Sequence, residues 1–451
     1  MTTSAAAPAS RFAHDFATLQ QLAADALAHA AKLGATAAEV EVSEGFGLAV
    51  TARCGEVETI EHNRDKGLSV EVYAGQRRGH ASTSDFSAAA LRETVAAALS
   101  IARFTAEDEY AGLPEADLLM RETLDLHLHH PWMIDTEEAI ALAQRVEAAA
   151  FAADARICNS EGASVSTQQS QFVSANSLGF MGGYPISRHT LSCSVIAGKG
   201  DGMQRDGWYT TARDAATLEA PETVGATAAR RTAARLGAKK IATGQFPVIF
   251  EAEQAAGLLG HFVHATSGSA LYRKASFLEG TLGQTIFPAF FNLRECPHLP
   301  GALASAPFDD DGVRTRARDV VKNGVLQGYF LGVYSGRKLG LPSTGNAGGS
   351  HNLLLEPGAH DLPALLRSMG RGLLITELLG HGVNGVTGDY SRGAAGFWVE
   401  DGEKVHPVEE ITIAGNLRAM FQNIRAIGKD VHIRGSKQTG SILVDGLMIA
   451  G

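Results

Sequence analysis

Five short runs of alternating apolar and polar residues, 38–43, 47–53, 56–61, 68–74 and 77–82, lie almost back to back near the start of the chain. Alternation with a period of two puts every second side chain on one face, so each run reads as a half-buried strand. The links Cys54-Gly55 and Ala74-Gly75 suit tight hairpins. Helical spacing flanks this meander. Leu19, Leu22, Ala23, Ala26, Leu27 and Ala30 recur at threes and fours until Gly34. A second helix, 87–103, follows Asp85 as its cap. Helix, antiparallel meander and helix make an α+β unit.

A third helix is expected at 135–154, started by Asp135 or Thr136 with Glu137 and Glu138 in its first turn. Long strands rich in Ser, Thr and Gln follow within 157–176 and 190–198, the pattern of a sheet with one wet face. A strand at 203–211 and a helix at 219–236, ended by Gly237, precede a boundary near 237–244. The rest is glycine-rich and β-heavy. Strands are expected near 246–250, 290–293, 325–332, 353–355, 372–378, 397–400, 411–414 and 441–449, and helices at 254–266, 362–369 and 417–424. The fold class is therefore α+β: a flexible tail over 1–14, an α/β-meander domain over 15–130, a helix with antiparallel strands over 131–240, and a β-rich, glycine-rich domain over 241–451.

The net charge of -10 leaves no basic footprint, which excludes nucleic acid as a partner. No apolar run approaches the roughly 18 residues of a membrane span, and the N-terminus lacks the plan of a signal peptide. Cys54, Cys158, Cys193 and Cys296 are scattered, as reduced thiols of a cytoplasmic chain would be.

The run FEAEQAAGLLGHFVH, from Phe250 to His264, holds Glu251, Glu253, His261 and His264 on an apolar-striped helix. A zinc-protease helix needs two His on one face with a Glu between them. Here both Glu precede both His, so the ligand set is incomplete. His127, His129 and His130 have no Cys or carboxylate at ligand spacing except Asp125 and read as surface or packing residues. The run from Gly198 to Gly202 reads as a hairpin turn, since a phosphate loop needs a different spacing. Asp309, Asp310 and Asp311 precede a turn at Gly312, without the closing Glu of a calcium loop. The loop from Gly345 to Asn352 holds Asn346 and His351 where backbone can approach a ligand, or is a plain surface loop. His381, Asp389 and Arg392 sit among glycines after an apolar strand, as a site or as turn chemistry.

The runs HNLLLEPG from His351, ITELLGHGVNGVTGDYSRGAAGFWVEDGE from Ile375, PVEEITIAGNL from Pro407 and RDKGLSVEVYAGQRRGHASTSD from Arg64 carry a resemblance over nearly the whole chain. The sequence resembles the TldD/PmbA family of metallopeptidases, in its PmbA (TldE) branch. The resemblance implies a cytoplasmic two-chain system that trims peptide precursors and degrades unfolded peptides. In it, a TldD-type chain holds zinc through His-Glu-x-x-x-His and a downstream Cys. Matched to that motif, the second His is His261, the first His falls on Ala256, the Glu on Gly257, and the Cys at or near Arg392. Ala and Gly cannot ligate, and Arg is a permanent cation.

The expectation is therefore a chain without metal or catalytic residues of its own, forming a heterodimer with a zinc-bearing TldD-type subunit. Arg392, Asn346, His351 and His381 are its candidate substrate-binding residues. Two alternatives stand beside it: a self-sufficient metallopeptidase using His261, His264 and a carboxylate, and a non-enzymatic peptide-binding homodimer.

Overall fold

The computed structural model describes residues 12–122 and 124–451. Its first layer is built from α1 (Phe16–Lys32), β1 (Ala37–Arg53), β2 (Glu56–Ala74), β3 (Arg77–Thr83), α2 (Ala88–Phe104), α3 (Thr136–Ala153), β4 (Ile157–Asn176), β5 (Met181–Ala197), β6 (Gln204–Ala212) and α4 (Pro221–Ala234). All six strands join one antiparallel sheet in the order β3-β2-β1-β4-β5-β6.

The five runs of the meander thus become three strands. Gly45 and Gly47 do not break β1. A Cβ on Gly47 would lie 2.5 Å from Asn63 Oδ1 and 2.8 Å from the Thr167 carbonyl, so glycine here lets β2 and β4 close on both sides. The helix starts follow cap chemistry. Ser87 caps α2 by accepting from Ala90 N, with Asp85 accepting from Ser87 N one step outside. Asp135 and Glu138 form a capping box at α3.

Two helical layers share one face of this sheet. The pair α1 and α2 covers Val40, Val42, Leu68, Val70, Val72, Val173 and Ala175. The pair α3 and α4 covers Leu48, Val50, Ala163, Val165, Leu191 and Val195. Between them lies a belt of buried polar side chains, Glu44, Thr167, Gln169, Gln171 and His189. The sheet keeps one wetter face, as expected, but several polar residues of β4 and β5 fall on its covered face, where each has a partner. His129 Nε2 meets Gln169 Oε1 at 3.0 Å. His189 bonds Thr167 Oγ1 and the His130 carbonyl, both at 2.9 Å. Gln171 donates to Glu44 and to the His14 carbonyl. The 127–132 histidine run is thus a strap over the belt. Residues 1–11 of the expected tail lie outside the described residues, while Phe12 packs edge-on against Phe46 and His14 bonds Glu44.

The second half runs β7 (Gly244–Phe250), α5 (Ala252–Ala265), α6 (Gly268–Tyr272), β8 (Leu293–Glu295), β9 (Arg318–Lys322), β10 (Val325–Leu326), α7 (Val333–Leu339), β11 (Leu353–Leu355), α8 (Leu362–Met369), β12 (Gly372–Leu379), β13 (Asp389–Glu400), β14 (Glu403–Asn416), α9 (Leu417–Gln422), β15 (Ile424–Ile427), β16 (Lys437–Gln438) and β17 (Ile442–Ala450). One sheet has the order β14-β13-β12-β7-β17-β15, and β14 also pairs with β17, so five strands close on themselves. A smaller sheet, β10-β9-β8-β11-β16, lies beside it. A shared core joins α5 (Leu258, Leu259, Phe262) to inward residues of both sheets, among them Phe250, Leu293, Val321, Tyr390 and Ile413. The outer face of the closed sheet is covered by Leu365, Leu366 and Met369 of α8.

Two expectations change in this half. The strand expected at 325–332 stops at Leu326, and α7 follows at Val333. The glycine-rich stretch holding Arg392 is not a loop: β13 begins at Asp389 and pairs with both β12 and β14. Glycine is needed there because a Cβ on Gly396 would lie 1.9 Å from the Leu374 carbonyl. No helix of the described residues is long and apolar enough to cross a membrane.

Candidate functional site

The site is built from one face of α5 and one face of β13. Glu251 and Glu253, at the start of α5, are held by arginines from other elements. Arg231 of α4 donates to Glu251 Oε2 at 3.1 Å, and Arg434 pairs with Glu253. Both guanidinium groups lie over the Trp208 ring, 3.5 Å (Arg434) and 5.3 Å (Arg231) from its centroid. This cluster ties the first sheet to α5.

His261 lies a turn after Gly257 on the same helical face. Its ring meets Tyr390 edge-on, with centroids 5.8 Å apart. Burial, then the Arg392 charge, then His264 hold its pKa below the usual imidazole value, so the ring is neutral at pH 7. Tyr390 and Arg392 are two apart on β13 and therefore share a face. Tyr390 is 1 % exposed. Burial pushes its phenol up to about 12 against the opposing pull of the neighbouring Arg392, and among the described residues its hydroxyl makes no well-aligned hydrogen bond. Arg392 donates from Nη2 to the Leu378 carbonyl at 3.3 Å and from Nε to the Leu379 carbonyl at 3.4 Å. Among the described residues it has no carboxylate within ion-pair distance. A Cβ on Gly257 would meet nothing within 4 Å, so the helix face before His261 is open. His264 is exposed, and the loop between β12 and β13 reaches it at Gly385.

The structure thus brings His261, His264 and Arg392 together. Ala256 and Gly257 lie on the preceding turn of α5, without donor atoms in their side chains. Neutral imidazole, a phenol and a permanent cation do not form a ligand set for a divalent metal, which needs several anionic or neutral donors and no guanidinium among them. Among the described residues, no group of three or more His, Cys, Asp or Glu is placed to hold a metal ion.

Asn346 and His351 belong to a different group. They surround Glu295, which is 1 % exposed. Asn346 Nδ2 donates to Glu295 Oε1 at 2.7 Å, His351 donates its backbone N–H at 2.9 Å, and His351 Nδ1 lies 3.0 Å away. Arg318 Nε donates to Glu295 Oε2 at 2.7 Å and Nη2 to Asn346 Oδ1 at 3.1 Å. Burial alone would raise the Glu295 pKa, but the His351 hydrogen bonds and the Arg318 charge outweigh it and bring it to about 2. The Asn346 amide and the backbone N–H and Nδ1 of His351 are committed to this network. His381 is exposed in the loop between β12 and β13. Asp389 accepts from Thr387 and Asn416 and so fixes the end of that loop. Tyr390 escaped sequence reasoning because GDYSRG reads as a loop; as an alternating strand it would have placed Tyr390 beside Arg392.

Three family models match the chain: PmbA/TldA metallopeptidase domain 1 over residues 38–102, the central domain over 129–236 and the C-terminal domain over 243–451. A Haemophilus influenzae protein described as a metalloprotease PmbA homolog is 48 % identical over 96 % of each chain. The metalloprotease PmbA of Escherichia coli O157:H7 is 49 % identical over 92 % of each chain. Among solved structures, TldE of Thermococcus kodakarensis superposes with a TM-score of 0.81 at 20 % identity, covering 96 % of this chain and 100 % of that one, which speaks to fold alone.

Proposed function

The chain belongs to the PmbA/TldD metallopeptidase family, and from that premise we propose that it is the metal-free subunit of a two-chain peptidase. It completes a zinc-bearing TldD-type partner in the cytoplasm and helps enclose unfolded peptides and peptide precursors. The observation that carries this reading is the pair of substitutions at the motif: Ala256 and Gly257 where a ligand and a base are needed, and Arg392 where a thiolate is needed. The arginine clamps on Glu251 and Glu253 support it, because they withhold the only carboxylates of α5 from His261 and His264. The edge of β2 supports the peptide role. β3 pairs with Leu68–Ala74, residues 56–66 of β2 are exposed, and among the described residues no strand pairs with their outer edge. An extended peptide can add there as a strand.

The test is to purify the chain alone and mixed with a TldD-type chain, then measure metal content and cleavage of an unfolded peptide. Cleavage only in the mixture, with one metal per pair, is the expected result. Zinc bound by this chain, or chelator-sensitive cleavage without the partner, would overturn the reading in favour of a self-sufficient enzyme. Peptide binding without cleavage in the mixture would favour a binding homodimer.

A further inference from the structure

Arg392, Tyr390 and His261 present donors and no acceptor of negative charge. The Arg392 fork has five N–H donors, and among the described residues its hydrogen bonds to carbonyls are two long ones, from Nε and Nη2, with the Tyr390 phenol as a further neighbour. Among the described residues the fully buried Tyr390 hydroxyl makes no well-aligned hydrogen bond, and its polar neighbour is the Arg392 guanidinium. A buried polar group left unpaired in a folded protein calls for a ligand. On the α5 side, Lys437 approaches Gly260, with its Cε 3.9 Å from where a Cβ would stand. Lys437 is half-buried and has no ion pair among the described residues. The face before His261 is open at Gly257. Arg392 and Tyr390 therefore face His261, α5 is open one turn earlier at Gly257, and the carboxylates Glu251 and Glu253 at the start of α5 are tied up by other arginines.

We propose that Arg392, Tyr390 and His261 form a carboxylate-binding site that takes the C-terminal α-carboxylate of a peptide. A planar carboxylate matches the guanidinium fork and leaves an oxygen for the phenol. Naming the ligand as a peptide terminus rests on the peptidase reading above; the anion site itself rests on this chain's residues alone.

The test uses the full chain without any partner. An N-terminally dye-labelled alanine–glycine hexapeptide is titrated as its free acid and as its C-terminal amide, with inorganic phosphate as competitor, and binding is read by fluorescence anisotropy. The free acid is expected to bind about tenfold more tightly than the amide, and phosphate to compete poorly. Arg392→Gln brings the acid-to-amide ratio to about one. Gly257→Glu, on the exposed helix face, does the same by placing a negative charge in the open space, and its unchanged circular dichroism shows that the fold survives. Tyr390→Phe lowers the ratio severalfold. Equal binding of acid and amide overturns the proposal, as does a ratio that survives Arg392→Gln, or phosphate displacing the acid as well as an unlabelled acid does. A ratio of one beside an active two-chain mixture sinks only the carboxylate site. A retained ratio beside an inactive mixture sinks only the subunit reading.

Discussion

Replacing Glu295 with Gln tests whether Asn346 and His351 serve the fold and not a ligand. The carboxylate accepts from Asn346, from His351 and from Arg318, and is almost fully buried. Its pKa falls from an ordinary 4.5 to about 2. At about 1.4 kcal/mol per pKa unit, that gap corresponds to roughly 3 kcal/mol of stability at neutral pH. Removing one partner of a buried ion pair costs about 3–5 kcal/mol by general experience, because Arg318 is left uncompensated. The sign follows from the depressed pKa: the contribution is complete above pH 4.5 and is lost as pH falls toward 2. Hydrogen exchange suits a chain of several packed units, since it reports each segment separately. The amides to follow are His351, which donates to Glu295, and Cys296, which donates to the Asn352 carbonyl. Glu295→Gln should speed their exchange at pH 7 by about two orders of magnitude, corresponding to ~3 kcal/mol. Wild type and variant should converge only as the pH approaches about 2. Equal protection at pH 7, or a gap that stays constant with pH, would refute the reasoning.

The His261 ring should titrate below the usual imidazole value in an NMR pH series, and Arg392→Gln should move its midpoint upward. Cys54 and Cys158 are exposed, Cys296 is half-buried with its thiol pKa raised by burial, and the Cys193 thiol is buried and pushed up to about 12, so a thiol reagent should modify two cysteines quickly and the Cys54→Ser, Cys158→Ser double variant only slowly, at Cys296. Gly396→Ala drives a Cβ into the Leu374 carbonyl and should cost upwards of about 3 kcal/mol, read as a lower melting midpoint. Gly257→Ala, in an open helical position, should instead gain about 0.5–1 kcal/mol.

Helices announced themselves through caps and apolar spacing, because both signals are local: Asp361 and the following Leu362-Pro363 start α8 where expected. Long-range closeness left weaker marks. Gly45 and Gly47 look like breaks until β2 and β4 are seen pressing on both sides of β1. Gln169, Gln171 and His189 look solvent-facing, because the strap that satisfies Gln169 comes from 40 residues away. Asn346 and His351 look like a binding loop, since their partner Glu295 lies 51 and 56 residues earlier. Within the candidate site, the His261–Arg392 association was readable from motif correspondence. The phenol of Tyr390 was not, because its role depends on strand alternation inside a stretch whose glycines suggest a turn.

The long pairing of β1 with β4 also has a bearing on how the chain is made. The Ala38 amide and its Ser177 partner are 139 residues apart. A ribosome that has delivered α1 through α2 therefore carries a meander whose second neighbour does not yet exist, with Val173 and Ala175 missing from its core. Such a nascent segment exposes a strand edge and apolar surface for as long as the intervening chain takes to emerge. Ribosome-stalled chains ending before β4 should be cut readily by protease and retained by chaperones. Chains stalled well past Asn176 should resist cleavage within α1 to α2. Equal resistance at both lengths would mean that the first unit closes without its distant strand.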